Sequence, residues 1–137
     1  MQARVLDTNI VLDLWVFQDP GAEPLRQSLS QSDWIWVATD AMREELVRVL
    51  AYAQIARRLE KNALSAESVL ARFDAAVTLV AAAPKAGISC KDPDDQKFID
   101  LAVAHQAQLF SKDKAVLCMK KRLEALGCAL NLALKTQ

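Results

Sequence analysis

The chain has 137 residues, enough for one domain that buries most of an apolar core without a disulfide or a structural metal. With 53% apolar and 25% charged residues, it is too apolar for disorder and too interrupted by charge for a membrane span. Lys plus Arg and Asp plus Glu both count 17, so no global field draws it to nucleic acid or a membrane, although local clustering still permits a polyanionic substrate.

Residues 3–7 are a β-branched and aliphatic run ending on Asp7 and read as a first strand. Ile10–Phe17 reads as a short helix closed by the turn cluster at 18–21, and Glu23–Leu29 suits a second one. Trp34–Ala38 is a compact run of strand formers. Thr39 or Asp40 caps a helix to about Tyr52, with Met42, Leu46, Val49, Leu50 and Ala53 at helical spacing. Residues 54–62 form a basic helical stretch. Ser65 starts another helix, through Val69, Leu70, Phe73, Val77 and Val80, that fades into Ala81–Pro84.

Ile88–Cys90 reads as a brief strand. Asp92-Pro93 opens a helix carrying Phe98, Leu101, Ala102 and His105, because the aspartate accepts from free N–H groups and the proline sits where no N–H is needed. Leu109–Ser111 reads as a strand leading to Asp113, followed by a helix to about Leu126 that Gly127 closes; Cys128–Leu132 is a last strand. Strands alternating with helices through short connections imply an α/β fold with a parallel sheet, helices on both faces and right-handed crossovers. No repeat or linker divides the chain, so a single domain spanning 1–137 is expected.

Cys90, Cys118 and Cys128 are an odd set without C-x-x-C spacing, and His105 is the one histidine. This argues against a disulfide framework or zinc site and suits a reducing cytosol. The opening residues carry no export pattern, so a cytoplasmic protein away from membranes is expected.

Four acidic positions fall where such a sheet presents side chains at its carboxyl edge: Asp7, Asp113, one of Glu44 and Glu45, and one of Asp92, Asp94 and Asp95. At about 100° per residue from Met42, Glu45 falls near 300°, at the rim of the buried face, and Glu44 near 200°, toward solvent. The same construction leaves Asp94 and Asp95 both close to the inward side of their helix. Carboxylates converging without a balancing Lys or Arg repel one another by several kcal/mol unless protons or cations neutralise them. Hard oxygen ligands with little His or Cys nearby favour Mg²⁺ or Mn²⁺, and an ion so held suits phosphodiester cleavage. The basic residues Arg48, Arg57, Arg58, Lys61, Lys112, Lys114, Lys120, Lys121 and Arg122 are solvated faces unless the fold brings them beside the acids, where they would hold phosphates.

Asp7-Thr8-Asn9 after a strand, the run Glu45–Leu50, the run Asp92–Ala102, and Ser111-Lys112-Asp113-Lys114 resemble, in that order, the motifs of PIN-domain proteins, above all the toxins of bacterial toxin–antitoxin pairs. The resemblance implies a three-layer α/β/α fold with a five-stranded parallel sheet, Mg²⁺- or Mn²⁺-dependent endoribonuclease activity on RNA, a cognate antitoxin and frequent homodimerisation. It also implies that Asp7, Glu45, Asp95 and Asp113 are the catalytic acids and that Asp7, Asp95 and Asp113 hold the metal. Asp95 is favoured over Asp94 because Phe98 and Ala102 follow it at the family's offsets, with Asp94 or Asp92 as alternatives, and Asn9 and Ser111 take supporting places. Lys112 departs from the pattern by standing where a small residue is common, which places a cation beside Asp113. Ala115 departs by replacing a further acid. Two other classes use similar features: a phosphotransfer or receiver-like α/β protein, which typically wants an acid where Asn9 stands, and a non-catalytic binding module with the same fold.

Overall fold

Four segments, Gln2–Leu6 (β1), Trp34–Ala38 (β2), Val77–Leu79 (β3) and Gln108–Phe110 (β4), pair in parallel in the computed structural model, which describes residues 1–132. Their order is β3-β2-β1-β4, with Arg4 opposite both Trp36 and Gln108 and Leu6 opposite Phe110. Neighbouring residues on one strand point to opposite faces. Val5 and Leu6 are both buried, as are Trp36, Val37 and Ala38 and then Leu109 and Phe110, so the sheet is covered on both faces.

The covering helices are Thr8–Trp15 (α1), Glu23–Ser28 (α2), Asp40–Leu50 (α3), Ala53–Lys61 (α4), Ala66–Ala76 (α5), Gln96–His105 (α6), Lys114–Leu117 (α7) and Lys120–Ala125 (α8). Their caps are written locally. Asp7, Thr39, Ser65 and Asp113 each accept from a backbone N–H of the first turn, and Ser65 with Ser68 closes a reciprocal capping box. Gly127 takes a left-handed φ of 87° after α8, a turn that a side chain strains. Trp15 stacks on Trp36 at 5.6 Å between ring centroids, and Phe73 meets Trp36 edge-on at 5.5 Å, tying α1 and α5 to β2. Burying side chains of this size contributes roughly 1.5–3 kcal/mol each.

Among the described residues the sheet has four strands, not the five expected, and four segments depart from the sequence reading. The helix begun at Ser65 stops at Ala76: Val77 is extended (ψ 153°), and the segment pairs with β2 as far as Val80 N–H to Ala38 O at 2.9 Å. The open edge of β2 supplied partners that a continued helix would have left unused. Ile88–Cys90 forms no strand. The Gln96 side chain takes over its backbone groups, accepting from Cys90 N–H at 2.6 Å and donating to Ile88 O at 3.1 Å. The last strand shrinks to one bridge, Leu130 beside Leu109, because Asn131 turns the chain away with φ 56°. The expected helix from 114 is two, broken at Cys118 and Met119, and Met119 is fully buried in the break. No helix among the described residues is long and apolar enough to cross a membrane.

Candidate functional site

β1 and β4 lie side by side and end at the same edge of the sheet, so the residues that follow them arrive together. Asp7 N–H extends the ladder to Phe110 O at 3.0 Å, while the Asp7 carboxylate caps α1 by accepting from Ile10 N–H at 3.0 Å. That cap is 3% exposed. After β4, the fully buried Ser111 accepts from Asp113 N–H through its Oγ at 3.1 Å. Asp113 in turn caps α7 through Ala115 N–H at 2.9 Å. Strand pairing and two caps therefore fix both aspartates.

The third contributor is the entry to α6. Asp92 caps a 3-10 turn, Pro93–Asp95, by accepting from Asp94 N–H at 3.0 Å. This turn aims Asp92 and Asp95 at Asp113 and leaves Asp94 exposed. Asp92, Asp95 and Asp113 each place a carboxylate oxygen within 4.8 Å of the others. Asp95 makes no cap bond, and its Oδ2 is shielded from solvent without a hydrogen-bond partner.

The electrostatics register this crowding. Burial pushes the Asp7 pKa up to about 6, reinforced by the charges of Asp113 and Glu45 and opposed by hydrogen bonds from Ser111 and Ile10. Burial also pushes Asp95 up to about 7, followed by its hydrogen bond with Asp113 and the charges of Asp113, Asp92 and Asp7. A carboxyl pair with one member held protonated is what two like charges at contact distance settle into without a cation.

Glu45 approaches from α3, half-buried, whereas Glu44 is exposed. Its Oε2 accepts from Thr8 Oγ1 at 2.6 Å, and its Oε1 forms an ion pair with Lys97. The acids thus have one balancing cation that the sequence reading lacked. Lys112, expected to stand beside Asp113 as such a cation, instead turns away to pair with the buried Asp13 and, at 3.5 Å, with Asp19. It ties the β4–α7 connection to α1 and does not neutralise the acid cluster.

Of the residues singled out in the sequence, Asp7, Asp95, Asp113 and Glu45 come together, although Asp7 stands outside the 4.8 Å set and Asp92 stands within it. Ser111 bonds within the cluster, whereas the Asn9 side chain is exposed and bonds none of the described acids. Three contributors had no local signal or only a weak one. Thr8 orients Glu45 and sits inside the Asp7-Thr8-Asn9 motif; Lys97 pairs with Glu45 across the fold. Asn131 holds Ser111 by both backbone groups, donating to its O at 2.7 Å and accepting from its N–H at 2.8 Å.

A parallel α/β fold with clustered carboxylates at the strand ends defines a candidate cation-dependent phosphodiesterase site. The PIN domain family matches residues 4–114, and the chain belongs to that family, whose fold is generally that of a metal-dependent nuclease. No curated protein matches it. The donor set fits the divalent ion that PIN domains typically use: all donors are hard carboxylate oxygens, the charges of Asp113 and Asp92 help raise the Asp95 pKa, and Asp95 keeps a buried oxygen without a partner.

Proposed function

We propose that the protein is a metal-dependent endoribonuclease acting as the toxin of a toxin–antitoxin pair. The observation that carries the catalytic part is the meeting of Asp7, Asp92, Asp95 and Asp113 at one sheet edge with an Asp95 oxygen unsatisfied. Asp95 and Asp113 would hold Mg²⁺ or Mn²⁺, with the Asp92 carboxylate close enough to join them, and Asp7 would add negative charge nearby while fixing the start of α1. When bound, the ion neutralises charge on the scissile phosphate and makes water a better nucleophile at neutral pH.

The chain supplies orientation. Thr8 and Lys97 hold Glu45 by one oxygen each, and each oxygen keeps a further lone pair with which to accept a proton from the attacking water. Ser111, clamped by Asn131, links the Asp113 backbone to the Asp7 carboxyl and keeps the β4 and β1 contributions in register. RNA is the substrate, a cognate antitoxin occludes the cleft, the active form is a homodimer, and the free cysteines suit the cytoplasm.

Asp113→Asn keeps the acceptor that caps α7 and removes one charge. It is expected to abolish Mn²⁺-dependent RNA cleavage while the circular dichroism spectrum is unchanged. Equal cleavage by wild type and variant rejects the assignment. Growth arrest on expression, relieved by Asp113→Asn and by co-expression of the product of the adjoining reading frame, tests the toxin role. Light scattering of the purified protein tests the dimer.

A further inference from the structure

Beside the acids, a cleft of about 330 Å³ opens between the end of α3 and the start of α6, lined by Glu45, Arg48, Val49, Tyr52, Asp94 and Lys97. It shares Glu45 with the acid cluster, and Asp94 adjoins Asp95, so anything lying in it reaches the carboxylates. Two features of its lining are unusual for this chain. Tyr52 is 54% exposed and is the sole aromatic among the large exposed apolar residues described; the three tryptophans and Phe73, Phe98 and Phe110 are all buried. It sits at the junction where α3 ends and α4 begins, its N–H bonded to Val49 O at 3.0 Å, so its backbone is fixed while its ring faces outward. Arg48, one turn away on α3, is exposed and has no ion-pair partner among the described residues, whereas the Lys97 charge is already matched by Glu45.

An exposed ring with a free guanidinium one helical turn away is the pairing that receives an unstacked base and its phosphate. Asp94 and the paired Glu45 make the rest of the cleft unfavourable to a simple anion, which leaves stacking as the main attraction and gives Arg48 a single phosphate contact. We infer that this cleft is a subsite for one nucleotide of single-stranded RNA flanking the cleaved bond, its base stacked on Tyr52 and its phosphate held by Arg48. The inference rests on the nuclease reading and adds to it a strand state: a paired base cannot present its face to Tyr52, so duplex RNA is excluded from the subsite.

Tyr52 is the only tyrosine in the chain, so replacing tyrosine by 3-fluorotyrosine in the full-length protein gives a single ¹⁹F resonance at the proposed subsite. In EDTA, titration with a short single-stranded RNA oligonucleotide is expected to shift that resonance saturably, and the matching duplex is expected to leave it in place. Arg48→Ala should weaken this binding and lower its dependence on salt by about one phosphate contact. In Mn²⁺, Tyr52→Ala is expected to raise KM for single-stranded RNA by about tenfold with little change in kcat, and Tyr52→Trp to restore it. If RNA is cleaved with the same KM by wild type and Tyr52→Ala and the resonance does not move, the subsite is refuted and the nuclease reading stands. A resonance moved equally by duplex also overturns the subsite. If wild type cleaves no RNA, the nuclease reading fails, and the ¹⁹F titration still decides whether a base stacks on Tyr52.

Discussion

Replacing Asp7 by Asn should make the metal-free protein more stable near neutral pH, although it removes a residue assigned to the active site. Asn preserves the shape and leaves an oxygen to accept from Ile10 N–H, while its amide can donate to Ser111, which can rotate its hydroxyl hydrogen. What disappears is the ionised form. Burial raises the Asp7 pKa from 3.8 to about 6, so the native state holds this proton more tightly than the unfolded chain. The associated stability is fully present below the unfolded value and is lost as pH rises through the folded value. A shift of roughly two units corresponds to about 3 kcal/mol, on the order of 10 °C in Tm for a chain of this size. Urea unfolding in EDTA across pH 4 to 8 should therefore show variant and wild type nearly equal at the acid end and separated by about 3 kcal/mol at the neutral end. Adding Mn²⁺ should close the gap by stabilising wild type in preference. A difference between the two proteins that is the same at every pH refutes the reasoning.

Lys112→Ala strips the buried Asp13 of its ion pair and should destabilise by about 1–2 kcal/mol with kcat unchanged; a loss of cleavage at unchanged stability would instead place Lys112 in the site. Lys97→Ala frees Glu45 and should lower kcat with a smaller effect on Tm, read by cleavage assays beside thermal melts. Asn131→Ala leaves two buried Ser111 backbone groups unpaired and should cost roughly 2–4 kcal/mol together with most of the cleavage, which urea unfolding and RNA cleavage would check. Trp36→Ala removes the ring between Trp15 and Phe73 and should lose about 3–5 kcal/mol in chemical denaturation.

Where chemistry and period agreed, the fold was legible. Trp34–Ala38 is a strand with the bounds expected, the helix over residues 40–50 follows its apolar stripe, and Thr39 and Ser65 cap the helices they were expected to start. Where two periods fitted one segment, it was not. Val77 completes a helical stripe with Val69 and Phe73 yet is β-branched, and only the open edge of β2, a nonlocal fact, decides for a strand. Ile88–Cys90 looks like a strand, but the Gln96 side chain replaces a sheet partner there. Asp94 and Asp95 resisted separation by helical angles because residues 93–95 form a 3-10 turn, which advances about 120° per residue and resets the phase before α6 begins. The ion pair from Lys97 to Glu45 and the clamp of Asn131 on Ser111 join residues far apart in sequence, and no local pattern encodes them.

Calorimetric titration with Mn²⁺ at pH 7.5 tests the metal assignment most directly, with the exposed Glu44→Gln as the control. Saturable binding to wild type and Glu44→Gln, weakened at least about tenfold in Asp95→Asn and Asp113→Asn, is the expected pattern. The same affinity in all four proteins would mean that the acids gathered at the sheet edge do not hold the ion.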